Sequence, residues 1–215
     1  MQLILASTSP YRKQLLHNIG IPVLCMASDV DEDPICGSHP IETSQLRAKA
    51  KSKFVAQKYC QQQSADSSLD MEEDVIVIGA DQVVYIDQEI FGKPKDTDEW
   101  MSRLQKFSGR DHQLTTSVSL WGFGPNISET PQEIRLFSEH TTIFFRNLSS
   151  VEIENYVLMG EAQNCAGGYM IEGLGASLID HIEGDYQNVI GLPIFALLQV
   201  LREFKFSVLE SISNR

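Results

Sequence analysis

Residues 75–94 read VIVIGADQVVYIDQEIFGKP, and this stretch decides the fold. Val75, Ile76, Val77 and Ile78 form a β-branched apolar run, the pattern of a strand buried on both faces. The spelling predicts that the strand stops at Gly79-Ala80, where two small residues let backbone and ligand come close, and then delivers Asp81. Val83 to Ile86 resume the strand, Asp87-Gln88 makes a tight turn, and Glu89-Ile90-Phe91 returns towards the loop Gly92-Lys93-Pro94. A carboxylate set between two apolar strands is costly unless a cation or hydrogen-bond donors satisfy it. Lys93 returns towards the same place, so the pair suggests a metal or phosphate site. Read alone, an aspartate after a buried strand is as often a helix cap or turn former, and a lone lysine is ordinarily solvated. The β-rich Val83–Ile86 that follows Asp81 counts against capping.

Outward from this centre, the N-terminal stretch repeats the theme. Leu3-Ile4-Leu5-Ala6 reads as a strand and Ser7-Thr8-Ser9 as a hydroxyl-rich loop. Ser9 is a good N-cap and Pro10 suits the first helical position. Leu15, Leu16 and Ile19 share a face of the helix, which Gly20 ends. A helix start of this kind presents backbone N–H groups and a positive dipole end to an anion. Arg12 and Lys13 in the first turn oppose the dipole preference for acids, which is understandable if they serve a phosphate. A surface helix with two chance cations is the equally good plain reading. After a strand at Val23–Met26, residues 29–33 hold four acids in five positions. Such a run is usually a solvated loop, but one or two members following a strand can reach a cleft and hold a divalent ion.

Residues 42–61 read as a long helix, in which Lys49, among Arg47, Lys51 and Lys53, is placed to line a phosphate pocket while most of that group faces solvent. Residues 62–73 are polar and read as a mobile loop. Residues 96–107 read as a further capped helix, strands follow at about 113–121 and 133–146, and Ser149 with Glu152 makes a capping box for a fourth helix. The glycine-rich 165–175 reads as a backbone-exposing loop suited to a planar ligand, and a last helix carries Ile194, Leu197, Leu198 and Leu201.

With 215 residues, 42% hydrophobic and 21% charged, the chain has enough core for one large or two small domains without staples. A net charge of −12 argues against nonspecific nucleic-acid binding. The four cysteines show no metal-ligand spacing and read as reduced, and the five scattered histidines form no catalytic pattern. No apolar run approaches the ~20 residues of a membrane span, and no secretory leader is visible. A soluble, cytoplasmic protein is expected, with no membrane partner.

Taken in order, Leu5-Ala6-Ser7-Thr8-Ser9-Pro10-Tyr11-Arg12, Val30-Asp31-Glu32, Ala48-Lys49-Ala50, Gly79-Ala80-Asp81-Gln82, Gly92-Lys93-Pro94, Ser108-Gly109-Arg110-Asp111-His112 and Gly191-Leu192-Pro193 resemble the Maf family of nucleoside triphosphate pyrophosphatases. The resemblance spans nearly the whole chain. It implies a Maf/ITPase-like α/β fold, an elongated mixed β-sheet flanked by helices, with residues 1–215 forming one domain of two lobes around a central cleft. It also implies a divalent cation (Mg²⁺ or Mn²⁺) and often a homodimer. The implied reaction splits a nucleoside triphosphate into monophosphate and pyrophosphate. By position, Asp81 matches the family's catalytic aspartate and Glu32 its metal-associated glutamate, the two holding the metal. Ser7, Ser9, Arg12, Lys49 and Lys93 match phosphate-handling positions, with Lys13 beside them.

Three positions sort the branches. The dTTP/UTP branch resembles Arg, Thr and Gln where this chain has Tyr11, Gln82 and Glu172, a trio that resembles the 7-methyl-GTP branch instead. An aromatic face and a carboxylate suit a cationic N7-methylguanine. That branch usually carries a Phe-Lys-Ser-Glu-Gly type loop, whereas this one reads Tyr169-Met170-Ile171-Glu172-Gly173. The same chemistry on UTP, CTP or dTTP, and a nucleotide-binding cell-division regulator with little turnover, are the alternatives.

Overall fold

The computed structural model describes residues 1–65 and 73–212. The strand expected to stop at Gly79 does not stop. β3 (Val75–Ile86) runs unbroken for 12 residues, turns at Asp87-Gln88 and pairs back with β4 (Glu89–Phe91). The smallness of Gly79 serves a helix rather than a ligand. A Cβ there would lie 2.4 Å from the Ala48 carbonyl oxygen and 2.7 Å from Ser52 Cβ, both on α2 (Pro40–Ala65). Helix and strand therefore touch backbone to backbone. Gly79→Ala should lower stability by about 1–3 kcal/mol, because neither backbone can yield cheaply. An unchanged denaturation midpoint would contradict that contact.

β1 (Gln2–Leu5) runs parallel to β3 on one side and to β2 (Leu24–Cys25) on the other. β5 (Asp111–Gly124), β6 (Ser128–Phe145) and β7 (Ile179–Glu183) follow antiparallel, giving the order β2-β1-β3-β5-β6-β7 with β4 beside β3. This is a mixed sheet flanked by helices. β5 runs past both ends of the predicted 113–121, and its middle carries the buried hydroxyls of Thr115, Thr116, Ser117 and Ser119; β6 begins earlier than the predicted 133, at Ser128. Ser52 on α2 donates to Ser119, and the Ser44 and Ser117 hydroxyls meet at 2.6 Å, so the hydroxyls satisfy one another across the helix–sheet contact. The expected loop 62–73 begins later than predicted, because α2 extends to Ala65; residues 66–72 lie outside the described residues.

Two apolar clusters share one face of β3. Ile76, Ile78 and Ala80 pack with Leu15 and Leu16 of α1 (Pro10–Asn18) and with Leu197 and Leu201 of α6 (Ile194–Glu203). Val84 and Ile86 pack with Trp100, Leu104 and Phe107 of α3 (Thr97–Phe107) and with Ile153 and Tyr156 of α4 (Ser150–Leu158). Between them lies a polar seam. Gln82 pairs with Thr116 across β3 and β5, and its amide nitrogen donates to Thr116 Oγ1 (3.1 Å) and the Asn188 carbonyl (2.7 Å) of α5 (Tyr186–Ile190). On the opposite face Val75 and Val77 pack against Val55 and Ala56 of α2. β3 is buried on both faces, as its composition requires. Among the described residues no helix is long and apolar enough to cross a membrane.

Candidate active site

A single cleft gathers most of the residues singled out above: Ser7, Ser9, Tyr11, Arg12, Glu32, Asp81, Gln82, Lys93 and Glu172 all line it, in a volume of about 850 Å³. The start of α1 forms one wall. Ser9 caps the helix, its hydroxyl accepting from Arg12 N–H (3.4 Å), while Ser7 Oγ accepts from Ser9 N–H (3.1 Å). Arg12 turns inward. Its Nε donates to the Gly191 carbonyl and its Nη1 to the Ala80 carbonyl, each at 2.9 Å, which clamps the guanidinium beside Asp81. Gly191, at φ 137°, ends α5 in a conformation that L side chains rarely adopt and that exposes this carbonyl.

Asp81 is the buried centre, with 5% of its surface exposed. Lys51 Nζ stands between two carboxylates, 2.8 Å from Asp81 Oδ1 and 2.7 Å from Glu32 Oε2. Asp81 Oδ2 is buried without a hydrogen-bond partner. Burial holds the Asp81 carboxyl above the ordinary aspartate range, against the opposing pull of Lys51 and Arg12. Burial also pushes Glu32 upward, but its hydrogen bond and ion pair with Lys51 win, and it ends below the usual range. The two carboxylates are thus driven apart in acidity, Asp81 towards holding a proton and Glu32 towards its charged form.

Lys49 and Lys13 are not brought to this cleft. Lys49 pairs with Glu133 Oε2 at 3.2 Å on another side of α2, and Lys13 is exposed on the outer side of α1. Lys51 takes the place expected of Lys49, for a geometric reason. At 100° per residue, positions 49 and 51 point some 200° apart. Lys51 falls within the buried stripe of Ser44, Ala48, Ser52 and Val55, whereas Lys49 falls beside it. Arg47, one turn before Lys51, also lines the cleft and donates to the Ile35 carbonyl (3.1 Å), tying down the loop that carries Glu32. An i, i+4 pair of cations was the legible signal. Of the acidic run, Asp29 and Glu32 reach the cleft; Asp29 is also paired with Lys58 at 3.2 Å.

The far wall is residues 164–172, with Met170 and Glu172 facing Tyr11, whose hydroxyl reaches Met170 Sδ (3.4 Å). The expectation of an exposed, ligand-seeking backbone is corrected here. Gly168 O accepts from Trp100 Nε1 (2.6 Å), Gly167 N–H donates to Gly92 O (3.1 Å), and Met170 N–H donates to Tyr156 OH (3.1 Å). Gly92 O also accepts from Arg103, so the Lys93 loop and the far wall are joined at one carbonyl. Lys93 itself is exposed, with no ion-pair partner among the described residues.

The family model described as Maf-like protein matches residues 2–204. The chain belongs to the Maf family. This Maf protein is 35% identical to the dTTP/UTP pyrophosphatase of Pelotomaculum thermopropionicum, over 97% of this chain and 99% of the relative. It is 38% identical to the nucleoside triphosphate pyrophosphatase of Synechococcus sp., over 89% of this chain and 94% of the relative. Among solved structures, the Staphylococcus aureus Ham1 protein aligns with a TM-score of 0.38 at 16% identity, covering 67% of this chain and 72% of that one.

Donor chemistry at the cleft suits a divalent cation of the magnesium type. Glu32 and Asp81 offer hard oxygens, and the orphaned Asp81 Oδ2 is a buried acceptor with nothing to accept from. Among the described residues no cluster of three or more acidic, His or Cys side chains is placed to hold a metal alone. Glu32 and Asp81 are the residues that would hold such an ion, which would supply positive charge beside the cleft's anionic ligand.

Proposed function

We propose that this Maf protein hydrolyses the α–β phosphoanhydride of a nucleoside triphosphate, releasing the monophosphate and pyrophosphate. One observation carries the proposal: a buried carboxylate with a free oxygen faces a cleft whose Arg12, Arg47, Lys51 and Lys93 suit a polyanion. The relatives named as pyrophosphatases over nearly their full length support it. Arg12, Lys51 and Lys93, with the N–H groups at the start of α1, neutralise the triphosphate. Asp81, its carboxyl already raised by burial, accepts the proton of the attacking water. Glu32 keeps its charge and holds Lys51. A divalent cation held by Glu32 and Asp81 would supply charge neutralisation for the triphosphate.

For the base, we propose 7-methyl-GTP. Support comes from Tyr11 and Met170 as an aromatic and polarisable surface, and from the Glu172 carboxyl lining the same cleft. A positively charged purine over Tyr11 gains about 0.5–2 kcal/mol. Glu172 suits the N–H groups of a guanine edge, which a pyrimidine would leave unmatched. The relatives' names favour a second reading, the same reaction on UTP and dTTP. We take residues 1–215 as one domain, its two lobes being the two apolar clusters beside the Gln82 seam.

A panel assay separates these readings. With Mg²⁺, pyrophosphate should appear from 7-methyl-GTP with the highest kcat/KM, no diphosphate should accumulate, and chelation by EDTA should stop release. A preference for UTP or dTTP would transfer the assignment to the pyrimidine reading. Orthophosphate with a diphosphate would overturn the cleavage site, and no release from any nucleotide would leave a binding role only.

A further inference from the structure

Glu172 reaches the cleft from a segment that is pinned beyond it. Just before that segment, after α4, stands Glu161, whose Oε2 accepts from Leu174 N–H (2.9 Å) and whose Oε1 accepts from Gly175 N–H (3.2 Å) and Tyr156 OH (3.4 Å). Tyr156 in turn accepts from Met170 N–H. The residues on both sides of Glu172 therefore hang from one carboxylate and one phenol. Gly173 lies flat against this carboxylate: a Cβ there would come within 2.6 Å of Oε1 and 2.7 Å of Oε2. Glu161 does not line the cleft, and it has no ion-pair partner among the described residues. Two carboxylates near one another without a cation repel, and the charge of Glu161 adds to burial in raising the Glu172 carboxyl. Backbone N–H groups are what stabilise Glu161 in that position.

We infer that Glu161 is a positioning residue for base recognition, holding Glu172 at the height where its carboxyl meets the N–H edge of a purine base. The inference rests on the reading of 7-methyl-GTP as the substrate of this pyrophosphatase and extends it. Binding energy at the base and chemistry at the phosphates then separate, because Glu161 touches neither Asp81 nor Lys51. Loosening the segment costs alignment of Glu172 with the base and leaves the triphosphate clamp standing.

The test uses Glu161→Ala, Glu161→Gln and Gly173→Ala in the full chain, with 7-methyl-GTP, UTP and tripolyphosphate, which has no base. Glu161→Ala should raise KM for 7-methyl-GTP about tenfold or more, the scale of a lost charged hydrogen bond. Its kcat, and tripolyphosphate hydrolysis, should stay within about twofold. Glu161→Gln, which keeps one acceptor, should restore part of the loss. Gly173→Ala should mimic Glu161→Ala, and the double variant should be no worse than either, since both break the same contact. Equal losses on all three substrates, or additive effects in the double variant, would overturn the inference. Should Glu161→Ala melt early, Glu161→Gln and Gly173→Ala carry the comparison. A nonhydrolysable α,β-methylene analogue of each nucleotide gives the same comparison as Kd. An inactive wild type that still shows the Kd pattern would sink the pyrophosphatase reading alone. An active wild type whose Kd ratio ignores Glu161 would sink this inference alone.

Discussion

Asp81→Asn is expected to lower kcat by about 10²- to 10⁴-fold, the usual worth of a positioned general base. Asparagine has the same shape, so β3 and the contact with α2 should persist. The amide, however, cannot accept the proton of water, and it is a poor partner for a divalent cation. KM should change little, because Arg12, Lys51 and Lys93 still clamp the phosphates. Stability should move the other way. Burial holds the Asp81 carboxyl above its ordinary range, so the fold disfavours its charge. A neutral amide removes that penalty, and the variant should melt as high as the wild type or higher. Pyrophosphate release followed in a single turnover, beside a thermal melt, checks both halves. Near-wild-type turnover would overturn the role assigned to Asp81.

Lys51→Met should be the second severe variant, losing about 10²- to 10³-fold in kcat/KM, as removal of one electrostatic contact to a developing anion does. It also strips Asp81 and Glu32 of their shared cation. Breaking a buried pair can cost about 3–5 kcal/mol. Here the cost is limited because Asp81 can take up a proton. The sign of the pH dependence follows. Without Lys51 the native Asp81 carboxyl rises further above its unfolded value, so the folded state binds the extra proton. Stability from this group is then full below the unfolded aspartate value and is lost as pH rises through the elevated native one. The melting temperature of Lys51→Met should therefore climb, relative to wild type, as pH falls from about 8 to 5. A pH-independent difference would show that the two carboxylates do not depend on Lys51.

Much of this protein is legible in its sequence because the signals are local. The β-branched run of β3, the tight turn at Asp87-Gln88, the Ser9 cap with Pro10 behind it and the Ser149–Glu152 capping box are all decided within a few residues, and each forms as its spelling predicts. Asp81 and Glu32 stand on either side of Lys51 in one cleft; the acidic run alone points only to one or two of its members, and the family resemblance is what singles out Glu32. The tertiary structure decided what depends on which surfaces press together. Gly79 looks like a place for a ligand until α2 is seen against it. Lys49, Lys51 and Lys53 are equivalent in composition, and only the face that α2 presents to the sheet selects Lys51 as the buried cation. Glu161 stands 11 residues before Glu172 with no motif to join them, yet the fold sets it under the segment that Glu172 rides on. Local spelling determines the elements and the kinds of group available. Which group becomes buried, paired or pinned depends on long-range packing, where one helix face chosen over another changes the charge that a carboxylate meets.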